Sequence, residues 1–228
     1  MSSYFCNLGL KDYLEAYTMQ TRLVDMRQAG SVDRDIFLVT EHPSVYTLGR
    51  RGGREFLKVP ETFLAERGIE VVPIERGGVI TYHGPGQLVL YPILHLKQSR
   101  LSVADYVYRL EEVMVRLAAC AGVSAVRDER NNGVWVADNK LGSVGIAIRR
   151  GVSFHGLALN VNPDMEPFGW INPCGLTGVQ MTSLDLESGN DVAIADLLTE
   201  LPGILESVFE RSFVTITEEQ AERTGVKN

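Results

Sequence analysis

The sequence predicts one α+β domain, with a mixed or largely antiparallel sheet flanked by helices. Strand-like runs come in hairpin pairs, joined near His42-Pro43 and near Gly151, between longer helical stretches. No linker, repeat or low-complexity segment divides the 228 residues, so residues 1–228 read as a single domain.

The first predicted element is a helix over residues 10–29. Leu10, Tyr13, Leu14, Tyr17, Thr21 and Val24 form its apolar stripe, and Gly30 stops it. Residues 35–40 and 45–48 read as short strands on either side of His42-Pro43, and Gly52-Gly53 marks an arginine-rich loop. A helical piece at about 61–66 ends at Gly68, and the β-branched run 69–74 is strand-like. Residues 76–87 hold four glycines and a proline, too many for one regular element. Residues 88–96 form an apolar strand. Ser102 with Asp105 resembles a capping box and opens a helix to Gly122. Val103, Val107, Leu110, Met114 and Leu117 make its core face.

Strands follow at 133–137, 140–148 and 152–161. In the latter pair, alternation puts Leu141, Ser143, Gly145 and Ala147 on one face, and Phe154, Gly156, Ala158 and Asn160 on another. Thr182 and Ser183 cap a short helical turn. Residues 191–211 form a last helix interrupted by Pro202-Gly203, and 213–216 a closing strand.

Composition narrows the function. Hydrophobic residues at 45% and charged residues at 22% are those of an ordinary globular chain, and no apolar run is long enough for a membrane span. A net charge of −7 argues against nucleic acid as a general partner. Three scattered cysteines, Cys6, Cys120 and Cys174, fit neither a disulfide framework nor a zinc knuckle. With no secretory pattern in the first residues, the expected location is the cytoplasm. Basic pairs at Arg50-Arg51 and Arg149-Arg150 are either solvated surface or docking points for an acidic partner.

Cys174 lies between Pro173 and Gly175, a turn that holds a thiol out from the backbone. The faces of small residues leave either a seat for a close-packed helix or a groove for an extended ligand, with Gly77 and Gly78 as a third wall. A cysteine nucleophile needs its thiolate, which a nearby ammonium favours. Lys140 can supply that ammonium. His83 is the competing partner, and it can also shape the site or contact a substrate carbonyl. His95 and His155 read as satisfied core or edge histidines. No histidine and cysteine cluster has metal-ligand spacing, so neither metal nor cofactor is expected.

Six runs carry a resemblance. They are E-H-P-S-V-Y-T-L-G-R (41–50), R-G-G-V-I-T-Y-H-G-P-G-Q (76–87), K-L-G-S-V-G (140–145), F-H-G-L-A-L-N-V-N (154–162), N-P-C-G-L (172–176) and M-T-S-L (181–184). In this order, over residues from about 35 to 190, they resemble the lipoyl(octanoyl) transferase family. The resemblance implies the biotin/lipoate ligase-like catalytic fold. It further implies transfer of an octanoyl group from acyl carrier protein to a lysine of a lipoyl domain. Acceptors of that kind are the E2 subunits of 2-oxoacid dehydrogenases and the glycine cleavage H protein. Carried over by position, Cys174 is the acyl-thioester nucleophile and Lys140 its partner. Arg76, Gly77, Gly78, Val79, Ile80, Thr81, Tyr82, His83, Ser143, Val144, Gly145, Gly156, Leu157 and Ala158 line the acyl site. Burying ~8 methylene-sized units at ~0.8 kcal/mol each gives about 6 kcal/mol before ordering costs. An ATP-dependent lipoate or biotin ligase of the same fold and a non-catalytic acyl-binding module are the alternatives.

Overall fold

In the computed structural model, which describes residues 2–172 and 179–223, the most apolar segments of the chain form the middle of one large sheet. The first half of the chain gives β1 (Ser2–Leu10), α1 (Tyr13–Gln28), β2 (Ile36–Glu41), β3 (Val45–Leu48), α2 (Glu61–Ala65), β4 (Glu70–Pro73), β5 (Ile80–His83) and β6 (Gln87–Ile93). The second half gives α3 (Val103–Cys120), β7 (Val126–Arg127), β8 (Gly133–Val136), β9 (Asn139–Arg149), β10 (Val152–Asn160) and β11 (Gln180–Met181). It closes with α4 (Leu184–Ser188), α5 (Ile194–Phe209), β12 (Ser212–Thr215) and α6 (Glu218–Arg223).

The large sheet runs β12-β1-β2-β6-β10-β9-β8-β7, with β11 added alongside β9. It is mixed: β1 is parallel to both β12 and β2, whereas β2, β6, β10, β9, β8 and β7 follow one another antiparallel. β6 and β10 are buried along their whole length, as strands covered on both faces must be. A smaller sheet, β4-β3-β5, carries the glycine-rich segment past the large one. α3 and α5 cover one face of the large sheet, where Leu110, Met114 and Leu117 meet Leu201 and Leu205. α1 and α6 cover the other, with Ala16, Leu23 and Ala221 in one cluster.

α3 begins at the capping box formed by Ser102 and Asp105. Val103 is 49% exposed and lies outside its apolar face, which is instead Tyr106, Leu110, Val113, Met114 and Leu117. α1 starts at Asp12, whose carboxylate accepts from the amides of Leu14 and Glu15. Its buried face is Tyr13, Ala16, Met19, Leu23 and Val24. Leu10 ends a strand and Leu14 faces solvent, so the predicted stripe was rotated. β1 itself was not foreseen; its pairing partners lie near residues 36 and 212, far along the chain. α5 runs unbroken through Pro202, against the expected interruption. Burial of Leu197, Leu201, Leu205 and Val208 outweighs the one hydrogen bond proline removes.

Candidate active site

Lys140 sits near the start of β9, and a bulge decides where it points. Trp135 pairs with Lys140 and Val134 with Gly142, so Leu141 is the extra residue. Leu141 turns into the core beneath α3, whereas Lys140 lines the cavity together with Ser143 and Gly145. Simple alternation had placed Leu141 on the face of Ser143 and Gly145; the bulge replaces it there with the lysine. Lys140 is only 1% exposed. Its Nζ donates to Asn132 O at 3.2 Å and lies 5.4 Å from the centroid of the Trp135 ring. Its stem crosses Gly133, where a Cβ would come 3.0 Å from Lys140 Cε. Gly133 is itself held by Glu111, whose carboxylate accepts from its amide at 2.8 Å.

The second wall comes from residues 76–81. Gly77 donates its amide to Ile146 O at 2.9 Å, which lays this segment across β9. Arg76 lies over Gly145: a Cβ there would be 3.2 Å from Arg76 Cδ. The guanidinium is anchored on Thr47, with Nε to Oγ1 at 3.0 Å and Nη2 to the carbonyl at 2.6 Å. Gly156 is small for another reason, since a Cβ would stand 2.1 Å from Leu90 O on β6.

These walls enclose a cavity of about 190 Å³. Arg51, Arg76 and Lys140 line it, and among its described lining residues there is no carboxylate. Such a site favours a thiolate, an oxyanion or another anion over a cation. Its histidines add no positive charge near neutrality. Burial lowers the His83 pKa to about 3, and burial with Arg76 nearby lowers that of His155 to about 3. His42, behind them, is lowered to about 4 by burial; its Nδ1 bonds Lys11 O and its Nε2 the Tyr91 hydroxyl.

Lys140 and thirteen of the fourteen expected acyl-site residues line this one cavity, the exception being Tyr82. Its side chain turns to the other side of β5, where the hydroxyl meets Ser44 and the ring meets Phe168. Cys174 lies outside the described residues. His155 was expected to be satisfied, but it has φ 55°, stacks on Tyr17, and neither ring nitrogen has a hydrogen-bond partner among the described residues. Tyr13, Tyr91, Asn132 and Val107 also line the cavity and were not foreseen. Tyr13 and Val107 lie on the apolar stripes that the sequence assigns to helix packing, and nothing in the spacing of the others marks them. Arg149 is engaged within the fold, 3.0 Å from Glu75 and 3.6 Å from Asp25. Arg51 is the exposed arginine at the cavity.

The lipoyl protein ligase A/B catalytic domain model matches residues 12–203. The octanoyltransferase of Desulfotalea psychrophila is 56% identical over 209 residues, covering 91% of this chain and 94% of its own. The chain belongs to this family. Within it, the chain groups with the octanoyltransferases, which are acyltransferases. A second such relative, from Syntrophobacter fumaroxidans, is 46% identical over 92% of each chain. The fold is also that of a bipartite lipoate protein ligase studied with its E2 lipoyl domain from Thermoplasma acidophilum. That likeness has a TM-score of 0.71 at 18% identity and covers 99% of this chain and 91% of that one. No helix among the described residues is long and apolar enough to cross a membrane.

Proposed function

We propose that this octanoyltransferase moves an octanoyl group from the thioester of an acyl carrier protein to the ε-amine of a lysine on a lipoyl domain. Cys174 carries the group between the two, and Lys140 is its partner. The acceptors are lipoyl domains of the dehydrogenase E2 and glycine cleavage H protein type. The odd, scattered cysteines fit a reducing compartment, and the proposed location is the cytoplasm.

The observation that carries this reading is Lys140: a fully buried lysine, turned by the Leu141 bulge onto a cavity wall of small residues. The resting pair is a Cys174 thiolate and a Lys140 ammonium. The thiolate attacks the donor thioester, and the carrier thiolate leaves with the Lys140 proton. The neutral acceptor amine then attacks the acyl-cysteine. Its proton passes to Lys140, Cys174 departs as thiolate, and the amide is formed. Because the donor is already activated, no nucleotide enters the cycle.

Turnover with octanoyl-carrier protein and a lipoyl domain, in EDTA with nucleotide removed, tests the reading. Full turnover is expected. Strict dependence on ATP would move the protein to the adenylating ligases of the same fold.

A further inference from the structure

Behind the cavity wall, side-chain amides form a chain that ends on main-chain carbonyls. Asn160 Nδ2 donates to Thr182 O at 2.9 Å. A carbonyl oxygen can only accept, so this contact fixes the Asn160 amide and leaves its Oδ1 towards Gln87. Gln87 Nε2 donates to that Oδ1 at 2.9 Å and to Tyr82 O at 3.3 Å. Gln87 Oε1 is then turned to His83 Nδ1, 2.6 Å away. An amide oxygen has no proton to give, so His83 Nδ1 carries one. Asn160 and Gln87 are 1% and 2% exposed, so bulk water offers neither amide an alternative partner.

Burial keeps the His83 ring neutral and the Arg76 charge adds to this, outweighing the Gln87 hydrogen bond, which alone would favour the charged ring; Tyr13 stacks on the ring. A neutral imidazole protonated at Nδ1 has a bare Nε2. That nitrogen makes no hydrogen bond among the described residues, and His83 lines the cavity.

We propose that Gln87 and Asn160 are positioning residues that hold His83 as the Nδ1–H tautomer, so that Nε2 offers a hydrogen-bond acceptor to the N–H of the incoming amine. The amine half of this rests on the transfer reading above; the tautomer half does not. An acyl chain and a thioester carbonyl present no N–H or O–H, and the attacking amine does. His83 therefore orients the amine and gives no hydrogen bond to the thioester carbonyl, the contact the sequence had suggested for it.

The test is the imidazole ¹⁵N spectrum of histidine-labelled protein at pH 7, with His83 assigned by its loss in His83→Asn. The wild type should show an unprotonated Nε2 and a protonated Nδ1. Gln87→Glu, which still presents an accepting oxygen to His83 but has no N–H for Asn160 Oδ1 and Tyr82 O, should keep Nδ1 protonated, and Gln87→Leu should release it. An Nε2–H or doubly protonated His83 in the wild type overturns the tautomer, whatever becomes of the transfer reaction. In turnover, Gln87→Leu should slow the amine step about 10-fold more than acylation by the donor. Equal slowing of both steps overturns the amine assignment. If Gln87→Leu does not fold, the wild-type spectrum decides the tautomer, and the two half-reactions of His83→Asn against the wild type decide the amine: a larger loss in the amine step supports it and equal losses overturn it.

Discussion

At Asp35, two arginines, a serine and a main-chain amide close around a buried carboxylate, whereas the cavity gathers Arg76, Lys140 and two neutral histidines with no carboxylate in its described lining. Arg27 Nε and the His95 amide reach one Asp35 oxygen, both at 3.0 Å. Arg211 and Ser99 reach the other at 2.7 and 3.0 Å. Every acceptor position there is used within the fold, and the centre ties β2 to α1, to the end of α5 and to the segment after β6. In the cavity, His155 has two ring nitrogens without partners among the described residues, and His83 presents one. Both regions bury charged side chains, Asp35 and Arg27 in one and Arg76 and Lys140 in the other. They differ in whether hydrogen-bonding capacity is used up within the described fold or left over, and left-over capacity beside a cavity is what marks a candidate site.

The largest expected effect is on chemistry at the open centre. Lys140→Ala should lower kcat/KM on the order of 10³-fold, the scale of a lost general acid–base group. Lys140→Arg should not restore it, because arginine keeps a charge but does not give up its proton. Both variants should stay folded with only modestly lowered urea midpoints, whereas a large loss of stability with only a small loss of activity would make Lys140 a structural residue. At the closed centre the pattern should reverse. Asp35→Ala leaves Arg27 and Arg211 buried without their shared anion and should cost about 3–5 kcal/mol in urea unfolding. A loss under about 1 kcal/mol would show that the network carries little of the stability assigned to it.

Acid should act through the histidines. In the unfolded chain they protonate near 6.5, but in the fold His42 does so at about 4 and His83 and His155 at about 3. Between these values the unfolded state binds more protons, so stability is full above about pH 7 and falls as pH drops towards 4. Each histidine adds up to about 1.4 kcal/mol per pH unit to that slope. Urea midpoints from pH 7.5 to 5 measure it, and His155→Phe should flatten the curve. A wild-type curve already flat over this range would mean that the cavity histidines are charged in the fold.

The smallest effect concerns docking. Arg51→Glu should raise the KM for an acidic carrier protein several-fold at low salt and less at high salt. Arg149→Glu should change KM little, because Arg149 is already paired with Glu75 and Asp25. The reverse order would place the donor on the Arg149 side.

Much of the fold was legible wherever local chemistry decides it. The Ser102–Asp105 box, the hairpin turning at Gly151 and the helix ending before Gly30 all follow from neighbouring residues. β1 was not legible, because its parallel partners are remote, and neither was the continuity of α5, which packing against α3 decides. Within the site, the sequence pointed to Lys140 and the small-residue walls but paired Leu141 with the wrong face. A one-residue bulge is invisible to alternation and reverses it. Gly156 looked like space for a ligand, yet the carbonyl of Leu90 is what requires it to be small. The Gln87–Asn160 chain joins residues 73 positions apart, and no spacing rule reaches that far.

The most direct test of the proposed cycle is the mass of the protein after brief exposure to octanoyl-carrier protein without an acceptor. One octanoyl group should appear on Cys174, be released by hydroxylamine, and be absent from Cys174→Ser while persisting in Cys6→Ser and Cys120→Ser. Label on Cys6 or Cys120, or no covalent label under conditions where the protein turns over, would contradict a Cys174 acyl-enzyme.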